Sequence, residues 1–188
     1  DLYGFELLND LPGISYNSIG INGAGLYTYL DNDNFLRDLK LSPPDYFAFS
    51  VGTNDGFVPY KDFKPEVYRK NLKKMMGLVL EANPNCAILL TVPNDCYYKK
   101  RYPNKNTARQ REVIIELAKE YQCGVWDLYG FMGGLGSSNT WREEGLMRGD
   151  YIHFTKEGYH LKGELYIDAF LKYLNLRECL KQIDKSGK

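Results

Sequence analysis

Short continuous apolar runs alternate along this chain with longer stretches in which apolar residues return every third or fourth position. The first pattern belongs to covered strands and the second to helices. Tyr46–Val51 (YFAFSV) and Cys86–Val92 (CAILLTV) are the clearest runs, each stopped by a turn former, Gly52 and Pro93. Ile14–Ile19 alternates instead and, with the glycines of GINGAG behind it, predicts another strand and turn. VWDLY, residues 125–129, predicts one more short strand. Helical spacing runs from Ala24 to about Leu39 with an interruption at DNDN, and Pro43-Pro44 closes it. Pro65 suits the first turn of a helix reaching Ala82, which Asn83-Pro84 ends. Asn106 or Thr107 can cap a helix to Tyr121, and Thr155 can cap a last one to about Leu174. NDCYYKKRYPNKN reads as a tyrosine-rich loop, residues 130–150 show little periodicity, and residues 175–188 read as a loose tail.

Strand and helix in alternation predict a single α/β domain over residues 1–188, a mostly parallel sheet with helices on both faces. In such sheets functional groups gather beyond the carboxyl ends of the strands. The loops in those places are GINGAG, GTNDG, PNDC and the glycine-rich section. A chain of 188 residues is long enough for one real core. Its 24 basic and 24 acidic residues cancel, so no basic field exists for nucleic acid. No stretch of apolar residues is long enough for a transmembrane segment. Cys86, Cys96, Cys123 and Cys179 contain no CxxC pair, and Cys86 and Cys123, beside apolar runs, are expected to be buried thiols. GINGAG fits neither a phosphate loop nor GxGxxG, so no cofactor is expected. His160 has no HExxH or acidic cluster around it, so no metal is expected and a surface or core-edge position is.

Asp150 and His153 stand three residues apart before the last helix. A neutral imidazole can act as a general base near pH 7, most effectively when one ring nitrogen donates to a carboxylate. The competing reading is a loop that merely ties down a helix. Asn54 follows a buried-type strand among small residues, where its amide N–H can face an oxyanion or simply close its own turn. Gly23 sits where a strand is expected to become a helix, with its N–H free to point at developing charge or to serve a plain turn. Asp55 and Asp95 follow strands too, in turns where aspartate is common without any function.

Taken together, IGINGAG, FSVGTNDG and GDYIHFTKEGY resemble the second, third and last sequence blocks of the SGNH, or GDSL-type, ester hydrolases. LLTVPND, VWDLYGFMGG and GLMRGDYIHF share the family's texture, so the likeness covers nearly the whole chain. The resemblance implies a three-layer, flavodoxin-like α/β/α sandwich and hydrolysis of a carboxylic ester by a serine nucleophile. It implies His153 as base, Asp150 as its orienter, and the Gly23 N–H and Asn54 amide as parts of the oxyanion hole. It points to acetyl or short acyl groups on a carbohydrate as substrate and to a periplasmic or secreted bacterial enzyme. Tyr97 and Trp141, with Tyr98 and Tyr102, can then stack on sugar rings, although a place at the domain edge would equally explain them.

The family's first block, a GDS motif carrying the nucleophile, has no counterpart here. Ser15 and Ser18 lie in an expected strand, Ser42 precedes two prolines, and Ser50 falls inside a run read as buried. Ser137 and Ser138 in the glycine-rich section remain as candidates. The family's first strand would lie between those matching Ile14–Ile19 and Tyr46–Val51. The expectation is therefore a domain incomplete at its amino terminus, whose missing strand and serine come from an N-terminal segment of the same protein. The alternative is a non-catalytic carbohydrate-binding or structural protein on the same fold.

Overall fold

The computed structural model describes residues 11–173. Its centre is a three-stranded parallel sheet of β1 (Tyr46–Phe49), β2 (Ala87–Val92) and β5 (Gly124–Asp127), in the order β1-β2-β5. The two apolar runs form β1 and β2, as their continuous apolar character predicts. Between β2 and β5 the chain makes a small hairpin, β3 (Tyr97–Tyr98) and β4 (Tyr102–Pro103), inside the stretch expected to be a plain loop.

One face of the sheet is covered by α4 (Pro65–Ala82) and α5 (Asn106–Tyr121), with α1 (Leu26–Leu30) and α2 (Phe35–Leu41) beyond them. Tyr68, Leu72, Met75, Met76 and Val79 recur at helical spacing on α4, and all are buried against Phe49, Ile88, Leu90 and Val92 of the strands and Val113, Ile114 and Leu117 of α5. On the other face lies α8 (Lys156–Tyr173), where Tyr166 meets Trp126 edge-on at 5.1 Å and Phe170 meets Tyr46 at 5.3 Å. Helices on both sides of a parallel sheet make the three-layer sandwich that strand and helix alternation predicts. A second small core of Leu128, Met132, Met147 and Phe154 packs near the base of α8. No helix among the described residues is long and apolar enough to cross a membrane.

Four expectations need correction. Ile14–Ile19 is not a strand: Ile14 is 98% exposed and the segment pairs with none of the described strands. Alternation becomes a strand only when a neighbour satisfies its backbone, and among the described residues β1 pairs with β2 alone. VWDLY is half strand and half helix. The Asp127 carboxylate accepts the Gly130 N–H at 3.0 Å and caps α6 (Leu128–Met132), so the chain turns before Leu128. The aperiodic glycine-rich section contains α6 and α7 (Ser137–Glu143), both too short for an amphipathic repeat. Cys86 is buried as expected, whereas Cys123 is half-buried. Residues 175–188 and Cys179 lie outside the described residues.

Candidate active site

GDYIHFT forms a tight loop closed by Asp150. One carboxylate oxygen accepts the backbone N–H groups of Ile152 and His153, both at 2.9 Å, and the other lies 2.9 Å from Nδ1 of His153. Desolvation resists ionisation of Asp150, but the His153 N–H, its ring and the Ile152 N–H outweigh it and hold the carboxyl below its ordinary value. An ionised carboxylate can only accept, so Nδ1 carries a proton and, in the neutral ring, Nε2 is the lone-pair nitrogen. Nε2 has no hydrogen-bond partner among the described residues. Tyr151 takes a left-handed φ of 59° to complete the turn. Thr155 caps α8 as expected, accepting the Gly158 N–H at 3.1 Å.

Two further loops face His153 across a cavity of about 330 Å³, lined by Gly23, Ser50, Asn54, Asn94, His153 and Lys162 among others. The Gly23 loop and the helical turn α3 (Thr53–Gly56) are clasped together by neighbouring side chains. Asn54 Nδ2 donates to the Ala24 carbonyl at 2.8 Å, and the Asp55 carboxylate accepts the Leu26 N–H at 3.0 Å. Asn54 keeps a second amide hydrogen, and the Gly23 N–H has no acceptor among the described residues. Gly23 turns at φ 75°, a conformation that favours glycine. Burial is the main reason that the Asp55 carboxyl lies above its ordinary value, against the lowering effect of the Leu26 N–H.

The clasp rests on buried amides, of which only Asn106 stands out in the sequence, as a helix cap. Asn106 is fully buried at the start of α5, where its amide donates to the carbonyls of Gly56 and Val58 at 3.0 and 2.9 Å. Asn104 donates to Gly56 at 3.0 Å and Gln110 to the Gly52 carbonyl at 2.7 Å. Gly52 sits at φ 121°, and a Cβ there would lie 2.6 Å from the Tyr68 hydroxyl. Asn94 donates to the Ile152 carbonyl at 3.1 Å and fixes the His153 loop to the end of β2. Asp95 is fully buried and accepts the N–H groups of Gly136 and Ser138 and the Ser138 hydroxyl, anchoring α7. Asn94 and Asp95 follow a strand, where local turn chemistry also produces such residues, and Asn106 and Gln110 lie on α5 with no local mark of these roles.

Gly23, Asn54 and His153 therefore line one cavity, and Asp150 orients His153 from behind. Trp141 and Tyr97 are elsewhere. Trp141 packs edge-on against Phe154 at 5.8 Å, while Tyr97 lies over Tyr151 at 4.8 Å and donates its N–H to the Tyr151 carbonyl at 3.1 Å. Neither ring lines the cavity. His160 is exposed on α8. Ser137 and Ser138 are buried away from the cavity, with Ser138 committed to Asp95. Ser50 corrects its sequence reading: β1 ends at Phe49, so Ser50 is exposed and lines the cavity. No hydrogen bond joins it to His153.

The GDSL-like lipase/acylhydrolase family model matches residues 3–161. The chain belongs to this family. Among solved structures it is similar to a peptidoglycan O-acetylesterase, with 20% identity and a TM-score of 0.75, over 83% of this chain and 45% of that one. The chain thus spans less than half the length of that relative. An acetyl xylan esterase matches at 20% identity and TM-score 0.61, over 80% of this chain and 78% of its own. A GDSL-like lipase from Bacteroides thetaiotaomicron matches at 19% identity and TM-score 0.61, over 82% and 75%. No curated protein matches the sequence. The fold is the flavodoxin-like one of SGNH hydrolases, and ester hydrolysis is the chemistry of the family.

Proposed function

We infer that the cavity beside His153 hydrolyses a carboxylic ester, with acetyl or short acyl groups on a carbohydrate as the substrate class. The observation that carries this reading is the Asp150–His153 contact at 2.9 Å, with Nε2 unbonded among the described residues and His153 sharing one cavity with Gly23 and Asn54. Two of the similar structures are named as acetylesterases of glycans, which supports the substrate class.

In this reading a serine hydroxyl gives its proton to Nε2 as its oxygen attacks the ester carbonyl carbon. The imidazolium that forms is stabilised by Asp150, and the carbonyl oxygen becomes an oxyanion held by the Gly23 N–H and the free Asn54 amide hydrogen. His153 then returns the proton to the departing alcohol. Water repeats the sequence on the acyl-enzyme and releases the acid. In this reading the serine comes from an N-terminal segment of the same protein, on a strand that pairs with the edge of β1. The unpaired edge and the lack of a hydroxyl bonded to Nε2 among the described residues support that source.

The test compares wild type, His153→Ala, Asn54→Ala and Ser50→Ala on p-nitrophenyl acetate and on acetylated sugars. His153→Ala is expected to remove about 10³-fold or more of kcat. Asn54→Ala is expected to remove about 10²-fold, with KM little changed. Ser50→Ala is expected to stay within about threefold of wild type. Equal rates for wild type and His153→Ala would end the esterase reading. Loss of activity in Ser50→Ala would instead make Ser50 the nucleophile and remove the need for an added strand.

A further inference from the structure

The hairpin of β3 and β4 carries Lys99, Lys100 and Arg101 at its tip, all exposed. The chain has a net formal charge of zero, yet none of these three cations pairs with a carboxylate among the described residues. The Arg101 N–H donates to the Tyr98 carbonyl at 3.2 Å, closing a turn whose two central residues are Lys99 and Lys100. Both have left-handed φ angles, 52° and 59°. Such a turn strongly favours Asn-Gly or Gly-Gly, since long L side chains rarely adopt that backbone. Two lysines are a poor local choice for the turn, so local folding preference does not account for them.

The tip is also firmly mounted beside the cavity. Tyr98 packs on Phe57 at 5.2 Å, and Phe57 lines the cavity that holds His153. The Tyr97 N–H bonds to Tyr151 in the His153 loop, and the Asn104 N–H closes the base of the hairpin on the Cys96 carbonyl at 2.8 Å. Lys99 Nζ lies 5.4 Å from the Tyr98 ring centre, and the Tyr102 ring on the opposite strand is exposed. Cations interleaved with open aromatic faces suit a polymer that offers both anionic groups and sugar C–H faces.

We propose that this hairpin is a docking element for an acidic polysaccharide, holding carboxylated sugars at Lys99, Lys100 and Arg101 so that an ester on the same chain reaches His153. The proposal rests on the esterase reading for its purpose but not for its binding measurement. A nucleic acid is the weaker occupant: three cations on a chain of zero net charge make no field for dense phosphates.

Binding of the protein to oligogalacturonate, to neutral xylo-oligosaccharide of equal length and to a DNA duplex is measured by calorimetry at low and moderate salt. The charged glycan is expected to bind about tenfold or more tightly than the neutral one, with the gap shrinking as salt rises. Lys99→Asn/Lys100→Gly/Arg101→Ser gives the turn its preferred residues, so it is expected to lose that gap while melting at or above the wild-type temperature. Lys99→Gln/Lys100→Gln/Arg101→Gln supplies the same test on the original backbone should the first variant misfold. Equal binding of charged and neutral glycans, unchanged binding in the variants, or duplex DNA binding as tightly as oligogalacturonate would overturn the proposal. Because the readout needs no turnover, an inactive protein that binds oligogalacturonate through this tip would overturn the esterase reading alone.

Discussion

α4 and α8 are both 18 residues long and cover opposite faces of the same sheet, yet they are packed very differently. α4 buries five apolar side chains and reads from sequence as a clean amphipathic helix. α8 buries only Gly158, leaves Leu161 and Leu165 half-covered, and exposes half of Ile167. Beneath α8, Ala48 of β1 is exposed and Tyr46 is 38% exposed, on a strand that pairs only with β2 among the described residues. The base of α8 is the exception. There Thr155 bonds the Gly145 carbonyl at 2.8 Å and the Leu146 carbonyl receives the Thr155 N–H at 3.0 Å. A helix can therefore be fixed beside the Asp150–His153 loop and thinly supported one or two turns later.

The sharpest way to break that contrast is to substitute the two glycines of α8. A Cβ on Gly158 would sit 1.9 Å from the Leu146 carbonyl oxygen, a backbone atom that cannot turn away. Gly158→Ala is expected to cost about 4 kcal/mol or more, read from urea midpoints, and to displace the His153 loop. Gly163 has open space around it, so Gly163→Ala should stabilise by up to about 1 kcal/mol, the ordinary helix preference for alanine. Similar changes at both sites would mean that α8 is no better anchored at its base than further along.

A smaller effect separates the two faces of the sheet. Leu72 on α4 is 1% exposed, and Leu72→Ala is expected to cost about 3 kcal/mol. Leu165→Ala, at a half-covered position on α8, should cost about 1 kcal/mol or less. Comparable losses would show α8 to be packed as tightly as α4.

The same contrast explains what was readable in the sequence. YFAFSV, CAILLTV and the α4 and α5 repeats report local burial by elements close at hand, so pattern alone located them. The DxxH loop was readable because Asp150 and His153 are three residues apart and bond each other directly. Ile14–Ile19 has the alternation of a strand, but pairing is decided by a neighbour that its own residues do not encode. Asp95 and Ser138 meet across 43 positions, and Asn106 reaches back 50 positions to Gly56. Neither contact is visible locally, and only the tertiary partner reveals that Asp95 anchors α7 and that Asn106 holds the α3 turn.

The smallest expected effect concerns the fixed end of α8 and follows from the sign of the Asp150 shift. Its carboxyl lies below its ordinary value, so folding favours the ionised form. That contribution is fully present above the ordinary aspartate value of about 4 and is lost as pH falls through the lower folded value. The loop is partly open to solvent, so screening limits the contribution to about 1 kcal/mol or less. Denaturation of wild type and Asp150→Asn should differ most near neutrality, with the gap closing as pH drops below about 4. A gap independent of pH would assign the loop's order to hydrogen-bond shape alone, since an asparagine can still accept from Ile152 and His153. Closure of the gap would instead show that the charge beside Nδ1 of His153 also secures the base of α8.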